Sequence, residues 1–198
     1  EDLQVVRSYK LRGAYNMLSS LPPESLKNGV VCASAGNHAQ GFAYSCSKLG
    51  VKGVVFMPII TPPQKIQQTQ LFGKSSIEIK LVGDTFDDCA TAAKEYTLQN
   101  GKTFIPPFDD YRIIEGQATV GVEILEDLSH VDYLFVPVGG GGLAAGVGSY
   151  FKTVSPKTKV IGVEPEGAPS MTKALEEGGP VKLENIESFV DGAAVKRV

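Results

Sequence analysis

Short runs of β-branched and other apolar residues alternate with longer stretches of helical spacing along the chain. Val30-Val31-Cys32-Ala33 and Val54-Val55-Phe56-Met57 predict buried strands, the second ended by Pro58. Ile77 to Val82 alternates with period two and stops at Gly83, which predicts a third; Tyr133 to Val138 and Lys159 to Glu164 predict two more. Between them, Asn37 to Lys48 sets Ala39, Phe42, Ala43 and Cys46 on one helical face. Asp84 to Gln99 predicts a helix capped by Asp84, and Ile113 to Leu128 carries Val120, Ile124, Leu125 and Leu128 at helical spacing. Gly142 to Phe151 predicts a helix that follows a glycine run. Strand and helix in alternation predict an α/β fold, and near-continuous apolar strands predict parallel sheets covered on both faces. The proline-rich stretch Ile105-Pro106-Pro107-Phe108-Asp109-Asp110 sets a boundary around residues 105–112, with three strands before it and a βαβ unit after it.

Composition narrows the class. The chain has 198 residues, 42% of them hydrophobic, and a formal net charge of −3. That is enough apolar material for a core, and the mildly acidic, mixed charge offers no footprint for nucleic acid or anionic lipid. No apolar run approaches the ~20 residues of a membrane-spanning helix. The opening Glu1-Asp2-Leu3-Gln4 lacks the basic and apolar regions of a secretory signal. Cys32, Cys46 and Cys89 are widely spaced and form no C-x-x-C pair, so they read as free, buried thiols of a reducing compartment. The only histidines are His38 and His130, and no metal site is expected.

Three segments carry candidate chemistry. In Val138-Gly139-Gly140-Gly141-Gly142-Leu143-Ala144-Ala145-Gly146, four glycines join a strand to a helix. Bare backbone amides and a helix N-terminus there suit a phosphate; tight strand–helix packing is the other reading. No Walker-type G-x-x-x-x-G-K-[ST] is present. Gly140-x-Gly142-x-x-Ala145, with Glu164 at 22 residues beyond Gly142, also fits a dinucleotide site in which Glu164 would bind a ribose hydroxyl. The second segment, Ser8-Tyr9-Lys10-Leu11-Arg12-Gly13-Ala14, puts a lysine among apolar and aromatic neighbours at a helix start. Desolvation there would lower the pKa of Lys10 and free the amine for Schiff-base chemistry, whereas an ordinary lysine snorkels to the surface. The third, Ser34-Ala35-Gly36-Asn37-His38-Ala39-Gln40-Gly41, closes a strand and opens a helix. It offers amides to a carboxylate, or else Asn37 simply caps the helix; His38 reads as a satisfied structural histidine.

Taken together and in this order, these segments resemble the pyridoxal-phosphate enzymes of the tryptophan-synthase-β type, and within them the biosynthetic threonine dehydratases. Met57-Pro58 with Thr61-Pro62, Gly162-Val163-Glu164-Pro165 and Phe189-Val190-Asp191-Gly192-Ala193-Ala194-Val195 extend the resemblance over the whole chain. The resemblance implies pyridoxal 5'-phosphate as cofactor and fold type II, with two open, mainly parallel sheets and flanking helices, incomplete at both ends. It implies a segment 1–10 bearing the Schiff-base lysine, a small domain over 11–110, and part of the cofactor-phosphate-binding domain over 111–198. Lys10 matches the lysine that bonds the cofactor and acts as the base at Cα. Tyr9 stands where the family usually has Phe beside the cofactor. Asn37 matches the partner of the cofactor's ring hydroxyl. Gly139, Gly140, Gly141, Gly142 and Leu143 match the phosphate cup, and Ser34, Ala35, Gly36, Asn37, His38 and Ala39 match the loop for the substrate carboxylate.

The activity so implied is conversion of L-threonine to 2-oxobutanoate and ammonia, the first step of isoleucine biosynthesis, with serine as a slower substrate. A homo-oligomer, dimer or tetramer, is implied with it, in the cytoplasm or, for a eukaryotic precursor that has lost its transit peptide, in an organelle stroma or matrix. Serine racemases of this fold place a second base two residues before Asn37, where this chain has Ala35; that favours elimination over racemisation. Relatives with a divalent-metal site follow the glutamate at position 164 with an acid six residues on. Here that residue is Ser170, so no metal is expected and Glu164 reads as a structural carboxylate. A serine dehydratase or racemase, a nicotinamide-nucleotide module and a non-catalytic scaffold remain the alternatives. By the same resemblance the chain reads as the central part of a larger catalytic domain, ending before the serine that meets the pyridine nitrogen.

Overall fold

The computed structural model describes residues 1–198, and the chain folds as two compact units, Glu1–Pro107 and Phe108–Val198. In the first unit, helices α1 (Lys10–Ser20) and α2 (Pro23–Leu26) precede strand β1 (Val30–Ala33). Then follow α3 (Asn37–Leu49), β2 (Gly53–Met57), α4 (Pro63–Gly73), a 3-10 turn (Lys74–Ser76), β3 (Ile77–Leu81), α5 (Phe86–Gln99) and β4 (Thr103–Phe104). The four strands are parallel, in the order β3-β2-β1-β4. Val31 and Ala33 of β1 and Val54 and Phe56 of β2 pack against Cys89 and Ala93 of α5. The strand alternation sends Val30, Cys32 and Val55 to the opposite face, where Phe42 and Cys46 of α3 press on Gly53. Full burial of each such side chain is worth about 1.5–3 kcal/mol, which is why the two continuous apolar runs take the centre of the sheet.

The departures from the sequence pattern have local causes. Helix α5 is capped by Thr85 rather than Asp84: Thr85 Oγ1 accepts from Asp88 N, and Asp88 Oδ2 accepts from Thr85 N, both at 3.2 Å. This reciprocal pair satisfies two amides at once, which a lone Asp84 would not. Strand β4 is a two-residue edge strand, too short to show alternation. Helix α4 buries only Thr69 and Gly73, so it has no apolar stripe; its signal is Pro63 in the first turn.

In the second unit, α6 (Tyr111–Asp127) precedes β5 (Tyr133–Pro137), α7 (Gly142–Val154), β6 (Lys159–Val163) and α8 (Ser170–Glu177). Strands β5 and β6 pair in parallel around α7 as a βαβ unit. Helix α6 begins two residues earlier than its apolar spacing predicts, because Asp110 caps it by accepting from Arg112 N at 2.8 Å. In this unit Val136 and Val138 turn into the core with Val147 and Phe151, while Phe135 is 63% exposed and Tyr133 54%. No helix is long and apolar enough to cross a membrane.

All three cysteines are free and buried. Burial raises the Cys32 thiol well above its usual range, that of Cys46 to about 12 and that of Cys89 to about 11. The nucleophilic thiolate is therefore suppressed. Mass-mapped alkylation at pH 8 should leave all three unlabelled in the native protein and label all three in guanidinium; rapid native labelling of any of them would contradict this packing.

Candidate active site

In the first unit, Tyr9 is the N-cap of α1 and Lys10 its first residue. The Lys10 amide donates to Ser8 Oγ at 3.2 Å, which fixes the turn that presents the side chain. Lys10 Nζ donates to the Pro107 carbonyl at 2.6 Å and lies 5.6 Å from the centroid of the Tyr9 ring. Burial lowers its pKa from 10.5 to about 8. A snorkelling surface lysine would keep its ordinary value; at pH 7.5 about a quarter of this amine is neutral and nucleophilic.

The Ser34–Asn37 turn leaves the C-terminal end of β1. Ser34 N–H donates to Phe56 O at 3.0 Å, and Gly36 N–H donates to Ser34 Oγ at 3.2 Å. Gly36, not Asn37, is the N-cap of α3, and it supplies no side-chain cap. The Asn37 side chain is thus exposed one residue inside the helix and does not cap it. The first intrahelical bond runs from Gln40 N to Gly36 O, so the amides of Asn37, His38 and Ala39 have no acceptor within the helix. With the positive end of the helix dipole, they make a place for a carboxylate. His38 is buried and its Nε2–H donates to Ile105 O at 3.0 Å, leaving the lone pair on Nδ1. Burial, with the nearby Lys10 charge, lowers its pKa to about 3. His38 is therefore a neutral, structural tie between α3 and the Ile105 strand end.

In the second unit, the glycine loop joins β5 to α7. Gly141 is the N-cap of α7 at φ +86°, a conformation open to glycine and costly for other residues. Ala145 N–H donates to Gly141 O at 2.8 Å as the first helical bond, so the amides of Gly142, Leu143 and Ala144 have no acceptor within α7, and no side chain caps them. Gly140 approaches Phe108 so closely that a Cβ on it would sit 2.2 Å from the ring. Tight packing and bare amides thus occur in the same loop.

Glu164 has another task than the dinucleotide reading gives it. Its carboxylate accepts from Met171 N at 2.6 Å, Thr172 N at 3.0 Å and Thr172 Oγ1 at 2.9 Å. It caps α8, a task that occupies three of the carboxylate's roughly four acceptor sites. No three His, Cys, Asp or Glu side chains gather as a metal would need. Sequence reasoning treated Ile105–Phe108 as a connector and missed that its carbonyls hold His38 and Lys10; the Pro106-Pro107 pair, without amide donors, is the signal for such a strap.

A family model for pyridoxal-phosphate dependent enzymes matches residues 1–198. The chain belongs to that family. It is 58% identical to the biosynthetic L-threonine dehydratase IlvA of Halalkalibacterium halodurans over 199 residues, covering 100% of this chain and 48% of the relative. Among solved structures, the processed threonine deaminase isoform 2 of Solanum lycopersicum superposes with a TM-score of 0.96 at 50% identity, covering 100% of this chain and 54% of that one. Maize serine racemase superposes with a TM-score of 0.91 at 28% identity, covering 99% of this chain and 60% of that one. The chain spans about half the length of the curated relatives it matches. Family membership makes pyridoxal phosphate the cofactor, and the residues suit it: a desolvated amine for its aldehyde, and an uncapped, glycine-lined helix start for its phosphate.

The buried amine has a measurable cost. Folding lowers the Lys10 pKa, so the folded state binds fewer protons than the unfolded one between about pH 8 and 10.5. Stability from this group therefore rises with pH across that window. Lys10→Met should stabilise the protein at pH 7 by about 1–2 kcal/mol, and the advantage should shrink as pH rises toward 10.5. Urea unfolding at pH 7 and pH 10 checks this; a gain that does not depend on pH would refute it.

Proposed function

We propose that this chain carries the cofactor-binding and proton-transfer residues of a threonine ammonia-lyase, which converts L-threonine to 2-oxobutanoate and ammonia. The observation that carries the reading is the buried Lys10 amine, with its pKa of about 8, in a chain 58% identical along its whole length to a biosynthetic L-threonine dehydratase. When bound, pyridoxal phosphate supplies an electron sink for the substrate's Cα. Lys10 Nζ would hold the cofactor through its aldehyde carbon, and the same amine would be the base for the proton at the substrate's Cα. A pKa near the working pH suits both tasks, because the amine must give and take a proton in each turnover.

The other residues bind and orient. The amides of Gly139, Gly140, Gly141, Gly142 and Leu143 hold the phosphate at the start of α7. Asn37 presents its uncommitted amide to the cofactor's ring hydroxyl, with Tyr9 beside the ring. The turn from Ser34 through Ala35, Gly36, Asn37 and His38 to Ala39 holds the substrate carboxylate at the start of α3. His38 keeps that turn in place through Ile105 O and takes no proton itself. The protein acts on threonine in the cytoplasm, with serine as a slower substrate, and assembles as a homo-oligomer.

Serine racemisation is the second reading, supported by the likeness to maize serine racemase. Ala35 argues against it, since its methyl group cannot return a proton to the opposite face of Cα. In the intact protein, L-threonine should yield 2-oxobutanoate, and Lys10→Ala should lower kcat by about a thousandfold or more. D-serine formed from L-serine without keto acid, or full activity without Lys10, would overturn the proposal.

A further inference from the structure

Phe108 stands at the foot of the glycine loop, and its place is set from both sides of the chain. Pro107 fixes the backbone before it, and the Asp110 N–H donates to Phe108 O at 3.1 Å after it. Asp110 in turn caps α6 through Arg112 N and pairs with the Arg112 guanidinium at 2.9 Å. The ring so anchored lies against the loop: a Cβ on Gly140 would meet its Cδ1 at 2.2 Å and its Cε1 at 2.4 Å. A Cβ on Gly142 would meet the Phe108 Cβ at 3.0 Å and its carbonyl oxygen at 3.1 Å. Two of the four glycines therefore rest on one residue.

That contact answers a physical difficulty. Consecutive glycines have no side chains to pack, and they lose more conformational freedom on ordering than any other residues. A loop meant to hold an anion on its amides would pay that entropy at each binding event unless something ordered it beforehand. We propose that Phe108 is a positioning residue for the cofactor phosphate, acting through the Gly139–Gly142 loop: its ring is the rigid floor that keeps the loop amides in place before the phosphate arrives. The inference rests on the reading that this loop holds the phosphate.

The test compares pyridoxal phosphate with pyridoxal, which lacks the phosphate, in equilibrium binding to the intact protein stripped of cofactor. Phe108→Ala should weaken pyridoxal phosphate about tenfold or more and leave pyridoxal nearly unchanged, while Phe108→Tyr, which keeps the ring, should bind both like wild type. Gly140→Ala should also weaken pyridoxal phosphate, because its methyl group strikes the ring. The double variant should lose much less than the product of the two single losses, since removing the ring removes the clash. Circular dichroism checks folding, and Phe108→Leu carries the same comparison if Phe108→Ala does not fold. Equal weakening of both ligands, no weakening, or multiplicative losses in the double variant would overturn the role of Phe108. If wild type holds pyridoxal phosphate no tighter than pyridoxal, the phosphate-cup reading itself falls, and this inference with it.

Discussion

An ammonium group withdrawn from water against a carbonyl oxygen is expensive to build into a fold, and in the first unit Lys10 Nζ meets Pro107 O at 2.6 Å in such a place. The low-dielectric surround that lowers the Lys10 pKa to about 8 also keeps His38 neutral, with a pKa of about 3. The two groups are tied to neighbouring positions of one strap, His38 to Ile105 O and Lys10 to Pro107 O. Proline suits that strap, because it fixes the backbone φ and has no amide proton to seek a partner of its own. The same desolvation that weakens the fold prepares the amine, so the burden on stability and the reactivity have one cause.

The two turns suited to anions repeat one device. Each follows the C-terminal end of a parallel strand, passes through small residues and enters a helix whose first amides are left uncapped: Gly36 before α3 and Gly141 before α7. Side chains satisfy the starts of α5, α6 and α8, through Thr85 with Asp88, through Asp110 and through Glu164, while α2 and α4 open on prolines without a side-chain cap. A helix start capped by a side chain has fewer amides to offer a ligand than one entered through glycine. The placement of binding turns beyond the carboxyl ends of parallel strands is a general property of open α/β sheets.

Most of the strands and the longer helices are legible in the chain because each central strand is an unbroken apolar run and each long helix has an apolar stripe. The pattern is silent where burial does not decide the structure. Helix α4, with Thr69 and Gly73 as its only buried residues, forms behind a proline start and presents no stripe. Strand β4 pairs with β1 at the sheet edge over two residues, too few for alternation to show. Among site residues, the motifs around Lys10, Asn37 and Gly139–Leu143 stand out by residue type. Phe108 and the carbonyls of Ile105 and Pro107 do not, because a ring used as a floor and a backbone oxygen used as an acceptor leave no mark on residue identity.

The sequence by itself determined the parallel α/β class, the chemistry-bearing segments and their order, since periodicity and local composition are properties of neighbouring residues. It left open whether Lys10 is solvated or desolvated, whether Asn37 caps its helix, and whether Glu164 is available to a ligand. Only the tertiary structure decided these. Lys10 Nζ meets the Pro107 carbonyl, 97 residues away in the chain; the capping of α3 depends on the angle at Gly36; and the Glu164 carboxylate is engaged by a helix whose start lies six residues further on. Each is a question of which groups meet in space, and contacts between distant residues are what a one-dimensional pattern does not encode.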